Sequence, residues 1–267
     1  MVDYHTLFGG LASNFGNQVP AYIVAGLTAI NLIWGYFFLP ESLQPEHRVT
    51  QIKLADLNPI KQMGNVFQMP LVRWLILVGF FYALPFALLQ SNGVVLFKDS
   101  LGWNAAAISL LFTLVGAIDI IMQGILAGKL LPIFGEVKLT IAGLIGIVGS
   151  FVLLGMIALM PTPVLAFASF ALFAVSSGLL EPALNGLVSR ATSPDKQGVV
   201  QGSNQSVHAV ANILGPILGG MIYAQFGHAT PYLLAAGIAG LAIVITSLAL
   251  PSLRVHNAET SSASSHA

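Results

Sequence analysis

The chain reads as an all-α polytopic membrane protein with seven transmembrane helices, one leading helix followed by a six-helix bundle. Three observations predict this. Charged residues make up 7% of the 267 and hydrophobic residues 56%, with mean hydropathy +0.84. Soluble domains carry roughly 25% charged residues to keep their surface wet, so the solvent of this chain is largely lipid. Seven apolar stretches are long enough to cross roughly 30 Å of hydrocarbon, which takes about 20 helical residues. The basic residues, finally, fall in alternate connecting loops.

Residues 1–18 have no basic n-region, which argues against a cleavable signal peptide, and read as an extracytoplasmic remnant. The first span covers residues 19–39. Residues 40–70 form a linker rather than a domain. Within it Asn58 can cap a short helix that has Pro59 at its first position. Ile60, Met63, Val66 and Phe67 then share one face, expected to rest at the membrane interface. The bundle, residues 71–250, holds spans at 72–97, 104–128, 138–160, 163–188, 199–226 and 230–250. Proline cannot continue a helix from within, so Met160-Pro161-Thr162-Pro163 divides the long uncharged run from Leu139 to Leu180 into two spans. Phe226-Gly227-His228-Ala229-Thr230-Pro231 makes the next tight turn. Residues 251–267, Ser/Ala-rich from Asn257, are predicted to be disordered.

Of the ten basic residues, nine lie on one side: Arg48, Lys53, Lys61, Arg73, Lys129, Lys138, Arg190, Lys196 and Arg254. Only Lys98 lies on the other. The positive-inside rule makes the basic side cytoplasmic, which puts the N-terminus outside and the C-terminus inside a plasma membrane. One miscounted helix would scramble that alternation. Net charge is zero and the sequence pI about 7.0, so there is no electrostatic footprint for nucleic acid. Cysteine is absent, which removes disulfides, thiolate metal sites and cysteine nucleophiles. HExxH, GxSxG and GxxxxGK[ST] are missing, so the sequence predicts neither an enzyme nor a cofactor or metal.

Leu39-Pro40-Glu41-Ser42, closing a span and opening a basic linker, resembles the central loop of the major facilitator superfamily. Gly128-Lys129-Leu130-Leu131-Pro132-Ile133-Phe134-Gly135, with Lys138, resembles the degenerate second copy of that superfamily's cytoplasmic loop motif. Glu181-Pro182-Ala183-Leu184, Ser189-Arg190, Gln197-Gly198 and Gln201-Gly202 are similar to the tetracycline and multidrug:proton antiporter branch. Gly215-Pro216-Ile217-Leu218-Gly219-Gly220 sits where that branch carries a glycine-proline stretch. Phe8-Gly9-Gly10 looks like the tail of its helix-five motif. Order and spacing over nearly the whole chain carry the resemblance more than any single motif. It implies that the spans are helices six to twelve of a twelve-helix transporter, without most of the N-terminal half that forms one wall of the substrate cavity.

Asp119 is the only charge between Asp99 and Lys129. An Asp at a helix centre costs roughly 2.5–3.5 kcal/mol on insertion scales, so it should face a cavity or a partner. It is predicted about two turns from the cytoplasmic end of its span, with Gln123 on the same face. Such an acid is either a proton-coupling group or a structural one bonded to neighbouring helices. Glu181 precedes a kinking proline and is the second proton-coupling candidate, or else a loop tether. Asn204, His208 and Asn212 recur every four residues as a polar stripe that can contact substrate or bind helices together. Gln90 and Asn92, beyond Pro85, are candidates for the outer cavity. Gly215, Pro216, Gly219 and Gly220 suit close helix packing and bending. For Lys129 and Lys138 the alternative to a loop-motif role is the enforcement of topology, the default for such residues.

The leading expectation is the C-terminal part of a proton-coupled efflux antiporter for drugs or small molecules, working by alternating access. Its partners would be the bilayer, a small-molecule substrate, protons and the N-terminal half. A seven-helix receptor or a passive channel are the rivals. A retinal protein would need a lysine in the last span, and residues 230–250 contain none.

Overall fold

The computed structural model describes residues 18–38 and 59–264, so the predicted cap Asn58 and most of the linker lie outside the described residues. Those residues form α1 (Val19–Phe38), α2 (Pro59–Phe67), α3 (Val72–Leu101), α4 (Ala105–Ile121), α5 (Ala127–Phe134), α6 (Glu136–Ile157), α7 (Pro163–Arg190), α8 (Gln197–Phe226) and α9 (Thr230–Ser264). Met122–Leu126 is a π-helical turn that joins α4 to α5 into one continuous span. Among the described residues, seven helices are long and apolar enough to cross a membrane. The chain is a multi-pass membrane protein.

The helix ends follow from local chemistry. Gly102 closes α3 with φ +64, and the N–H groups of Gly102 and Trp103 bond back to the carbonyls of Lys98 and Phe97. That left-handed conformation suits glycine, which has no Cβ to clash. Asn104 caps α4 by accepting from the Ala107 N–H at 3.0 Å. Thr162 caps α7 in the same way, ahead of Pro163 at the first helical position. Gly135 and Gly227 turn the chain at φ +77 and +87.

Two elements differ from expectation. The stretch predicted as a loop after the third span is helical to Phe134, so Gly128 and Lys129 sit within α5 and Gly135 alone makes the turn. Once a helix exists, adding residues costs less than nucleating a new one, and a single glycine weakens it by only about 1 kcal/mol. For the same reason α9 runs to Ser264, through residues predicted to be disordered. The short helix α2 packs on α8 and α3 with Val66 fully buried.

Arg73, Lys129, Lys138, Arg190 and Lys196 gather at one end of the bundle, here the basic end. Lys98 marks the far end. α6 pairs with α7 and α3 with α8, while α9 packs on both α3 and α6 and α4 rests on α7. Phe97, Leu144, Ile147, Phe151 and Leu154 are fully buried in the shared core. Small residues let the paired helices approach. A Cβ on Gly143 of α6 would lie 2.8 Å from the Leu180 Cβ and 2.9 Å from the Ser176 carbonyl oxygen of α7. α1, by contrast, exposes its apolar side chains, Leu32 by 74% and Tyr36 by 82%.

Candidate functional site

α3, α4, α7 and α8 bring a set of polar side chains together among apolar ones. Asp119 stands at the middle of the 30-residue span Ala105–Phe134, not two turns from its end, because that span is longer than predicted. Its Oδ1 is buried without a hydrogen-bond partner. The Gln123 amide, one turn on, faces the same carboxyl group. Gln123 belongs to the π turn, whose wide ladder often marks functional positions. Room for that turn comes from Gly178 of α7, where a Cβ would lie 2.6 Å from the Met122 Cβ.

Glu181 of α7 is half-buried and accepts a hydrogen bond of 2.9 Å from the hydroxyl of Tyr82 on α3. Tyr82 is 3% exposed and lies within electrostatic reach of both Glu181 and Asp119. Glu181 also acts on His208 of α8. Rings back this group: Tyr82 stacks on Phe86, which stacks on Phe173 at 5.6 Å and 9°. Asn204 and His208 press against α3, since a Cβ on Gly79 would lie 3.4 Å from Asn204 Oδ1 and 3.7 Å from His208 Nε2. The four-residue stripe therefore does face a neighbouring helix.

Toward the far end, Gln90, Ser91, Asn212, Ala87 and Pro216 line a cleft of about 200 Å³ between α3 and α8. Asn92 is buried instead of lining it, with its Nδ2 unpartnered against Gly219. Gly215 and Gly219 make the α3–α8 crossing close. Gly220 faces open space and takes no part in that contact.

Each end of the bundle is tied as well. At the basic end the Arg190 guanidinium meets Glu136 at 3.0 Å. Gly186 leaves space for that carboxylate, since a Cβ there would lie 2.9 Å from Glu136 Oε1. Gln197 Nε2 donates to the carbonyls of Ser189 and Thr192, closing the end of α7. At the far end the Tyr223 hydroxyl donates to Asp99 at 2.9 Å, and His228 stacks on the Tyr223 ring at 4.6 Å. Lys129, Lys138 and Gly128 are exposed.

Residues 6–213 and 94–266 match the profile of the Major Facilitator Superfamily. The chain belongs to that superfamily. It is 30% identical over 246 residues to tetracycline resistance protein, class C, of Escherichia coli, covering 92% of this chain and 60% of that protein. Multidrug resistance protein 2 of Bacillus subtilis is 26% identical over 223 residues, 80% of this chain and 53% of its own. The crystal structure of the human organic anion transporter MFSD10 (TETRAN) superposes with TM-score 0.75 at 23% identity, over 86% of this chain and 57% of that one. That likeness shows the fold. The chain thus spans between half and two thirds of the length of these relatives. Superfamily membership points to a transporter rather than an enzyme, and sets the seven-helix receptor reading aside.

Within this superfamily member, the sequence singles out Asp119, Glu181 and the α8 stripe, but not Tyr82, Gly178 and Gly79, which lie against candidate residues or their neighbours. The Glu136–Arg190 pair gives a modest prediction. Arg190 is 69% exposed and Glu136 14%, so water screens much of the attraction. Arg190→Ala is expected to lower stability by about 1 kcal/mol or less, read as a small fall in Tm in detergent. A loss several times larger would show that Arg190 organises the whole basic end.

Proposed function

We propose that the chain is the C-terminal part of a proton-coupled efflux antiporter for drugs or other small molecules, working in the plasma membrane by alternating access. The observation that carries this is Asp119: a carboxyl group at mid-span, with one oxygen buried and unpartnered. A structural aspartate in lipid would have both oxygens satisfied, and an acid left short of partners at that depth suits proton uptake and release. Glu181, tied to Tyr82, is the second proton site. The names of the tetracycline resistance and multidrug resistance relatives support drug efflux.

In this reading the basic end is cytoplasmic and the N-terminus of this sequence outside. An N-terminal half completes the cavity opposite α3, α4, α7 and α8. Substrate would meet Gln90, Asn212, Asn204 and His208, with Gln123 beside the acid. Asn92 would act behind the cleft wall rather than in it. The six-helix unit α3–α9 rocks as one body against the other half. Proton and substrate favour different states, and each moves the equilibrium only by its difference in affinity between them.

The test joins this chain to the N-terminal half of a tetracycline resistance relative and follows drug-driven proton movement in membrane vesicles. Asp119→Asn is expected to abolish that movement while drug still binds. Coupling that survives the substitution unchanged would remove Asp119 from the mechanism.

A further inference from the structure

We propose that Tyr82 is a positioning residue that ties the charge state of Glu181 to the packing of α3 against α7. The inference rests on the proton-coupled reading above and deepens it. Three features at one depth of the bundle carry it.

The first is the bond itself. Tyr82 and Glu181 are 99 residues apart, yet the phenol donates to the carboxylate at 2.9 Å from a side chain that is 3% exposed. A hydrogen bond to an ionised acceptor is roughly twice as strong as a neutral one. Protonating Glu181 therefore weakens a direct tie between two spanning helices without any other change in contact.

The second is the ring stack. Tyr82, Phe86 and Phe173 stack in sequence, and Phe173 meets Phe151 of α6 edge-on at 6.0 Å. A shift of the Tyr82 ring is passed through close-packed faces to α7 and α6, because such interiors have few voids to absorb it.

The third is Pro85, three residues beyond Tyr82 within α3. It removes a backbone donor, so the helix bends there more readily than elsewhere. Tyr82 anchors the basic-end side of that weak point, and α3 beyond it leads to the cleft at Gln90. Releasing Tyr82 frees the bend.

Other ionisable groups share the site. His208 of α8 feels Glu181, and Asp119 of α4 acts on Tyr82. Residues 139–157 of α6 and 233–249 of α9 contain no ionisable side chain. Glu181 is the one of these groups to which the Tyr82 hydroxyl is bonded.

The chain has no cysteine, so two introduced cysteines report alone. Spin labels at Val95→Cys on α3 and Val164→Cys on α7, both exposed and at the far end, measure the spacing of the two helices in nanodiscs over a pH series. The otherwise unaltered chain is expected to change its distance distribution with pH. Glu181→Gln should hold the acid-side distribution throughout, and Tyr82→Phe should abolish the response as well. Glu181→Asp keeps an acid but draws it one methylene away from the hydroxyl, and should lose most of the response. It carries the test if circular dichroism shows that Tyr82→Phe does not fold.

A merely structural Tyr82 would shift the distances and leave their pH response intact. That outcome in Tyr82→Phe, or an undiminished response in Glu181→Asp, overturns the proposal and leaves Glu181 as a proton site. A response that survives Glu181→Gln removes Glu181 from the proton-coupled reading too. No pH response in the unaltered pair also overturns the proposal.

Discussion

Gly215→Leu is expected to prevent α3 from seating on α8, whereas Gly220→Leu, five residues along the same helix, leaves the chain folded. A Cβ on Gly215 would run into the Ala87 Cβ and lie 2.8 Å from the Ala87 carbonyl carbon and 3.0 Å from the Leu88 nitrogen. Two of those atoms are backbone, which cannot turn aside as a side-chain end can. Overpacking a core costs about 1–3 kcal/mol, and more when no rotamer relieves it. A leucine adds three carbons beyond the Cβ, so the expected loss is about 3 kcal/mol or more. Gly220 meets nothing within 4 Å, so a leucine there meets no packed neighbour in this chain. Thermal unfolding of both variants in detergent separates them: a large fall in Tm for the first and little change for the second. Equal behaviour would mean that the α3–α8 crossing is not as close as the structure has it.

The contrast shows what a sequence can say about such a stretch. Gly215, Gly219 and Gly220 look alike as small residues in an apolar span, and sequence alone groups them. Which of them meets another helix depends on the rotation of α8, and that rotation is set by contacts with α3 more than a hundred residues away. The number and class of the helices were legible because lipid imposes them: spans must be long, apolar and internally hydrogen-bonded. Loop boundaries were less so. The α5 segment carries Gly128, Lys129 and Pro132, all of which read as breakers or loop residues, yet the helix propagates through them to Gly135.

Part of the site was legible for a similar reason. An acid in an apolar span stands out whatever it touches, which singled out Asp119 and Glu181. Tyr82 did not stand out, since a tyrosine in a run of Phe80, Phe81 and Phe86 reads as apolar packing. Only its pairing with a residue 99 positions away gives its hydroxyl a role. Gly178 was hidden likewise, because nothing local announces that a π turn on α4 will press against it.

Asp119→Leu is expected to raise stability while abolishing drug-driven proton movement in the joined transporter. The structural and the functional readings of this residue predict opposite signs, which makes the substitution decisive. If Asp119 binds helices together, removing it breaks bonds and the chain melts earlier. Its Oδ1, however, is buried with no partner, and an unsatisfied buried polar atom costs about 1–3 kcal/mol. Leucine at the same depth is favourable on insertion scales by a few tenths of a kcal/mol, where Asp is unfavourable by roughly 2.5–3.5. Asp119 is only half-buried, so the lower part of that range applies, a gain of about 1 kcal/mol. Gln123 loses its neighbour but is exposed and can bond to water in the cavity. A rise in Tm with coupling lost is the pattern of a group held at a cost in stability for its chemistry. A fall in Tm would assign Asp119 to the scaffold, and proton coupling would then have to rest on Glu181 and its tie to Tyr82.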